Sequence, residues 1–210
     1  VVDFLNSASA ESNYERGAHY DAYISYGKQE SQEFSHRILN RLNENHLNVF
    51  MDREDIPLMI ENEEFVYSTI LASDNFIYVI SPNSVRSELC KKELDFALRF
   101  NKRVIPVVHH DLGSDAPLMD SIIAKKKAIE IDNPEENISA VVEAIDEVIN
   151  TDKEYVRLHS HFLFKAREWD FNGRRQSDLL YGKERQKAVN WLKQSSDSLS
   201  PLQLHQEYIK

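Results

Sequence analysis

Strand-like and helix-like stretches alternate five times between residues 19 and 150, and this rhythm restricts the fold more than any other feature of the chain. Five short runs rich in β-branched, aromatic and aliphatic residues read as strands: 19–26, 46–51, 76–80, 103–108 and, more weakly, 128–131. Between them apolar residues recur at helical spacing. Phe34, Ile38 and Leu42 do so after the first run, Phe65, Thr69 and Ile70 after the second, and Cys90, Leu94, Ala97 and Leu98 after the third. A short helix over 118–124 follows the fourth. After the fifth, Asn133 as N-cap and Pro134 at the first helical position open a helix carrying Ile138, Val141, Val142, Ile145 and Ile149. Parallel strands need such crossovers, so the expected fold is α/β: a five-stranded parallel sheet with helices on both faces. Pro106 in the fourth strand favours a bulge or an edge-like place. Ligand sites in open sheets of this kind lie beyond the carboxyl ends of the strands, so the loops after Tyr26, Met51 and Ile80 share one rim.

The densest signal on that rim is residues 76–98. The run 76–80 is apolar throughout, as in a strand covered on both faces. Ser81-Pro82-Asn83-Ser84 interrupts it, and a helix follows with Ser84 or Ser87 as its N-cap. Glu93 falls roughly 60° round the helix from Cys90 at about 100° per residue, on the border of the buried stripe. A carboxylate so placed, near the end of a strand, is the candidate for chemistry. Cys90 lies within the stripe and reads as a small buried hydrophobe rather than a nucleophile. Just past the first strand, Tyr26, Gly27 and Lys28 fit two readings: a plain turn with a solvated lysine, or an anion contact with close backbone approach. His109-His110-Asp111 contains possible metal ligands, but neighbouring histidines after a strand alternate sides and no further ligand is suitably spaced, so no metal is expected.

The chain of 210 residues divides into a polar arm over 1–18, the α/β domain over 19–150 and a helical extension over 151–210. The extension carries both tryptophans and has little enclosing structure of its own, so it must pack on the α/β domain or on a further region beyond Lys210. A net charge of −10 argues against a nucleic-acid-binding face. The single cysteine fits a reducing compartment, and no apolar run reaches the roughly 18 residues of a membrane span. A cytoplasmic protein is expected.

Four segments, in order, resemble the boxes of Toll/interleukin-1 receptor (TIR) domains. Tyr20-Asp21-Ala22-Tyr23-Ile24-Ser25-Tyr26 is similar to the first-strand box. Val49-Phe50-Met51 followed by Asp52, Arg53, Glu54, Asp55, Ile56 and Pro57 is similar to the second strand and the BB loop. Val79-Ile80-Ser81-Pro82 with Leu89-Cys90-Lys91-Lys92-Glu93-Leu94 resembles the third box, usually Trp-Cys-x-x-Glu-Leu, and residues 103–108 resemble the fourth strand. The likeness covers residues 18–150 and implies the flavodoxin-like TIR fold. Two positions depart from the pattern: Leu89 stands where the family has Trp, and Leu58 where Gly commonly follows the loop proline. The segment Ala166-Arg167-Glu168-Trp169-Asp170 is similar to one that follows TIR domains in large bacterial proteins, ahead of sensor or repeat regions.

What the resemblance implies divides in two. Some TIR domains hydrolyse NAD⁺ at the nicotinamide–ribose bond, with the glutamate of the third box as the catalytic carboxylate, here Glu93. NAD⁺ is then substrate, not cofactor, with Tyr26, Gly27, Lys28, Asp52, Arg53, Ser87 and Leu89 as substrate contacts. Glu54, Asp55, Ile56, Pro57 and Leu58 become an assembly loop for other TIR domains, since self-association completes family pockets. The setting implied is bacterial antiphage defence by NAD⁺ depletion. Other TIR domains are non-catalytic adaptors that only associate, and Leu89 in place of Trp favours that alternative. A phosphoacceptor receiver domain of similar topology would need acidic residues after the first strand, where Ser25-Tyr26 stands.

Overall fold

The computed structural model describes residues 19–51, 63–119, 123, 126–194 and 199–210. Among the described residues four strands form one sheet: β1 (Tyr20–Ser25), β2 (Val49–Met51), β3 (Ser73–Ile80) and β4 (Arg103–Val108). All pair in parallel, in the order β2-β1-β3-β4. Helices α1 (Lys28–Glu44), α2 (Glu63–Ala72), α3 (Pro82–Arg86), α4 (Glu88–Arg99) and α5 (Ile138–Asn150) make the crossovers and cover both faces. Ala22, Ile24, Ile77, Val79 and Val107 meet Phe34, Ile38 and Leu42 of α1 and Val141 and Ile145 of α5 on one face. Tyr23, Phe76, Tyr78 and Ile80 meet Ile70 of α2 and Cys90, Leu94 and Ala97 of α4 on the other. Successive strand residues face opposite ways, so Tyr23 and Ser25 share the α4 side. The chain steps outward from β1 to β2 and then returns to place β3 on β1's other side. The strand order reverses between β1 and β3, where a crevice opens at the carboxyl ends.

The expected fifth strand shrinks to a single parallel bridge, Val107 with Ile129. Ile129 N–H donates to Pro106 O at 2.8 Å and Val108 N–H donates to Ile129 O at 3.0 Å. The next bond on one side would need an N–H from Pro106, which has none, facing outward like its carbonyl. On the other side the His110 N–H turns back to Ile80 O at 3.3 Å. The ladder therefore stops after one rung, and the edge-like reading of Pro106 explains why.

Two helix starts also differ from expectation. Asn133 is left-handed (φ 47°) and opens a turn, so α5 begins at Ile138 after Asn137, whose amide bonds Asp132 O at 2.7 Å. The helix expected over 118–124 falls partly outside the described residues, and Leu118 instead ends a 3₁₀ segment, Gly113–Leu118.

The extension forms α6 (Lys153–Phe171), α7 (Gly182–Lys193) and α8 (Gln203–Ile209). Contrary to expectation it encloses a core of its own, with Phe162, Ala166, Ala188, Trp191 and Tyr208 buried together. It also seats on the amino-terminal end of the sheet. The buried Lys102 ammonium donates to Leu71 O at 2.7 Å, Ser73 O at 2.8 Å and Ser160 Oγ of α6 at 3.1 Å. No described helix is long and apolar enough to cross a membrane.

Candidate active site

The crevice between β1 and β3 is built from two chain reversals that lock together. β1 ends at Ser25, and Gly27 stands before α1 because nothing larger fits: an added Cβ would lie 2.7 Å from Ser84 N and 2.8 Å from Asn83 Cβ. The second reversal follows β3. Ser81 caps α3 through a reciprocal pair with Ser84, and Pro82 occupies the first turn, where its missing N–H costs nothing. Glu30 of α1 accepts the Asn83 N–H at 2.6 Å. Burial pushes the Glu30 carboxyl up, but the Asn83 amide, the Ser81 hydroxyl and the nearby His110 and His109 outweigh it and leave it below its usual value. Ser87 then closes α3 and caps α4, accepting from Cys90 N at 3.3 Å. Sequence reading offered Ser84 or Ser87 as one cap; the chain uses Ser81 and Ser87 for two helices.

Glu93 sits in the second turn of α4. It is only 4% exposed, deeper than the border place its helical angle gives. Tyr23 Oη donates to Oε1 at 2.9 Å and Ser25 Oγ donates to Oε2 at 2.6 Å. One turn earlier the Cys90 thiol donates to Tyr26 O at 3.3 Å. Burial, with the charge of Glu93 second, pushes that thiol up from its ordinary value, which suits packing and not nucleophilic attack.

Around the carboxylate lies a cleft of about 220 Å³ whose lining includes Tyr23, Ser25, Tyr26, Lys28, Asn83, Ser87, Leu89 and Glu93. Five sequence-chosen residues thus converge: Tyr26, Lys28, Ser87, Leu89 and Glu93. Leu89 is 39% exposed at the mouth, unusual for a leucine. Gly27 does not line the cleft; its close approach is to the backbone of α3. Asp52, Arg53, Glu54, Asp55, Ile56, Pro57 and Leu58 lie outside the described residues. Sequence reasoning passed over Tyr23, Ser25, Gln29 and Asn83. The available signal was the pair Tyr23 and Ser25, two hydroxyls on one face of a strand buried on both sides.

His109 is a packing residue. Its ring stacks on Phe34 with centroids 4.1 Å apart, and its nitrogens meet Ser31 Oγ at 2.9 Å and Glu135 Oε1 at 2.8 Å. Burial lowers its pKa, against the pull of Glu135. The His110 ring lies 3.8 Å from it rather than on the opposite side, because the backbone has already left strand geometry. Among the described residues no group of three or more His, Cys, Asp or Glu is placed to hold a metal ion. A wider cleft of about 640 Å³ between α6 and α7 contains two carboxylates, Glu154 and Glu184. Both are already held by lysines, Lys187 at 3.2 Å and Lys165 at 2.8 Å, so it has no counterpart to Glu93.

Residues 23–149 match the family model described as the TIR domain, and the chain belongs to that family. No curated protein matches. Among solved structures, the TIR domain of the Toll-related receptor TRR-2 from Hydra magnipapillata aligns over 62% of this chain and 99% of its own, with 19% identity and a TM-score of 0.50. It shares the fold. A metazoan TIR-STING receptor from C. gigas aligns at 26% identity over 59% of this chain and 40% of its own, with a TM-score of 0.45. The TIR domains of the activated Roq1 resistosome align at 22% identity over 62% and 84%, with a TM-score of 0.40.

Proposed function

We propose that this TIR domain is an NAD⁺ glycohydrolase with Glu93 as its catalytic carboxylate. The observation that carries the reading is a carboxylate buried at the sheet's switch point, gripped at both oxygens by hydroxyls and lining an open cleft. Ribose hydroxyls entering the cleft would donate to this carboxylate. Nicotinamide leaves as a neutral molecule, so its departure needs no general acid. It does leave positive charge on the ribose, and a fixed anion beside that charge stabilises the transition state. Water adding to the ribose carbon then gives ADP-ribose and a proton; attack by the adenine of the same molecule would give a cyclic product. Lys28 at the cleft supplies a cation for the pyrophosphate.

The cleft is smaller than the roughly 300 Å³ at which ligand pockets begin, so it encloses only part of a dinucleotide. Such a partial site fits completion by a second TIR domain, with residues 54–58 as the assembly loop. Loss of NAD⁺ in a cell is then a means of defence against infection. The rival reading, an adaptor without turnover, draws on Leu89: an aliphatic side chain gives the mouth of the cleft no stacking wall.

The deciding measurement is nicotinamide release from NAD⁺ at high protein concentration. Glu93→Ala is expected to reduce it by about 100-fold or more. Equal turnover in parent and variant, or none in either, overturns the reading. Replacing Asp52, Arg53, Glu54 and Asp55 together is expected to lower activity steeply in dilute protein and less in concentrated protein; a uniform loss would place these residues in the cleft instead.

A further inference from the structure

Glu93 would need some partner simply because it is buried, but the way its partners are mounted goes further. Tyr23 and Ser25 are two residues apart on β1 and reach different oxygens of the same carboxylate, at 2.9 and 2.6 Å. The Tyr23 ring is clasped between Phe50 of β2, with centroids 5.8 Å apart and planes 19° apart, and Phe76 of β3, at 5.7 Å and 8°. Phe50 is in turn braced edge-on by Tyr20 and Phe65. A ring held on both faces cannot swing its hydroxyl away. Ser25 is fixed through its backbone, in register with Tyr78 of β3. On the other side, α4 is tied to the end of β1 by the Cys90 thiol on Tyr26 O.

Resting on the reading above, we propose that Tyr23 and Ser25 are the positioning residues of this site. They clamp the Glu93 carboxylate in one orientation and so fix the direction from which the substrate's hydroxyls meet it. A hydroxyl donating to a carboxylate also favours the charged form. Each hydroxyl of the clamp therefore stabilises the anionic form that faces the positive charge growing on the ribose.

Tyr23→Phe removes the hydroxyl and leaves the aromatic stack, so it separates positioning from packing. The expected result is a kcat lower by about tenfold or more with KM changed less than about twofold, because orientation matters most in the transition state. The acid limb of the pH profile should move to higher pH. Ser25→Ala should shift the limb in the same direction, and Ser25→Thr, which keeps the hydroxyl, should restore it. An unchanged kcat and an unchanged limb in Tyr23→Phe overturn the proposal, since a purely structural tyrosine would behave that way. A second readout needs no turnover: carbon-13 NMR of glutamate-labelled protein, with the Glu93 resonance assigned through Glu93→Gln. Removal of the Tyr23 hydroxyl must move the Glu93 titration to higher pH even if NAD⁺ is never cleaved; an unmoved titration overturns the clamp itself. Failure of the glycohydrolase reading with a moved titration leaves the clamp standing.

Discussion

At the scale of single residues, the site depends as much on what is missing at Gly27 as on what is present at Glu93. The φ of Gly27 is an ordinary −77°, so its role is space and not backbone freedom. Any Cβ there meets the Ser84 amide at 2.7 Å, inside contact distance. The obstruction is backbone, at the turn that carries the Ser81 cap and the Glu30–Asn83 bond, and it cannot rotate aside. Gly27→Ala should therefore destabilise the protein by about 1–3 kcal/mol, the usual effect of overpacking. Denaturant unfolding would show this, and a change under about 0.5 kcal/mol would mean the two reversals are not locked together. How far the site was legible follows from the same residues. Glu93 could be chosen because it stands in a recognisable box. Tyr23 and Ser25 could not, because a tyrosine and a serine on a buried strand look like packing until the helix carrying their acceptor is placed against them. Gly27 was legible as a requirement for close approach, but not for which neighbour: it serves the α3 backbone.

At the scale of elements, the limits of each ladder and helix trace to hydrogen-bond supply. The apolar run 76–80 of β3 was readable because such a run on a two-sided sheet leaves little ambiguity. The fifth strand read more weakly, as the short run Ala128-Ile129-Glu130-Ile131, and pairing also depends on the partner's donors: Pro106 withholds one where residue 127 would need it. Asn133 and Pro134 make a valid helix start in isolation. The chain instead spends them on a turn, closed by the Glu136 and Asn137 amides on Asn133 O at 3.0 Å. Replacing Pro106 tests this account of the sheet edge. Pro106→Val supplies the missing N–H, and one added ladder bond is worth about 0.5–1.5 kcal/mol. Amide exchange across residues 127–131 should slow by roughly twofold to tenfold, while exchange in β1 and β3 stays as it was. Unaltered exchange at 127–131 would mean that something other than the absent donor ends the ladder.

At the scale of the molecule, the candidate site and the attachment of the extension occupy opposite ends of one sheet. The cleft opens at the carboxyl ends of β1 and β3, whereas the extension grips the amino ends through Lys102, Arg103 and Asp21. Arg103 donates to Thr151 O at 2.5 Å, and Lys153 pairs with Asp21 at 3.0 Å. The joint is rich in groups that burial makes costly to protonate. Lys102 is brought down to about 7 by burial, with Asp74 opposing, and His205 to about 4, again by burial first. His159 is pushed well below its ordinary value by burial, then by His205 and Lys102, against the backbone at Ser200. All three are bases whose folded pKa lies below the unfolded one, so the unfolded chain binds more protons and stability rises with pH across each window. For His205 the window runs from about 4 up to the unfolded value of 6.5, and for Lys102 from about 7 up to 10.5. Acid should therefore loosen the extension first, while the clamp on Glu93 lies at the far end. Denaturant midpoints measured from pH 7 to 10 should climb in the parent and climb less in Lys102→Met. The variant sits lower overall, because Leu71 O, Ser73 O and Ser160 lose their donor, so the slope against pH and not the midpoint is the test. Parallel slopes in the two proteins would show that the buried ammonium does not set the pH response of the joint.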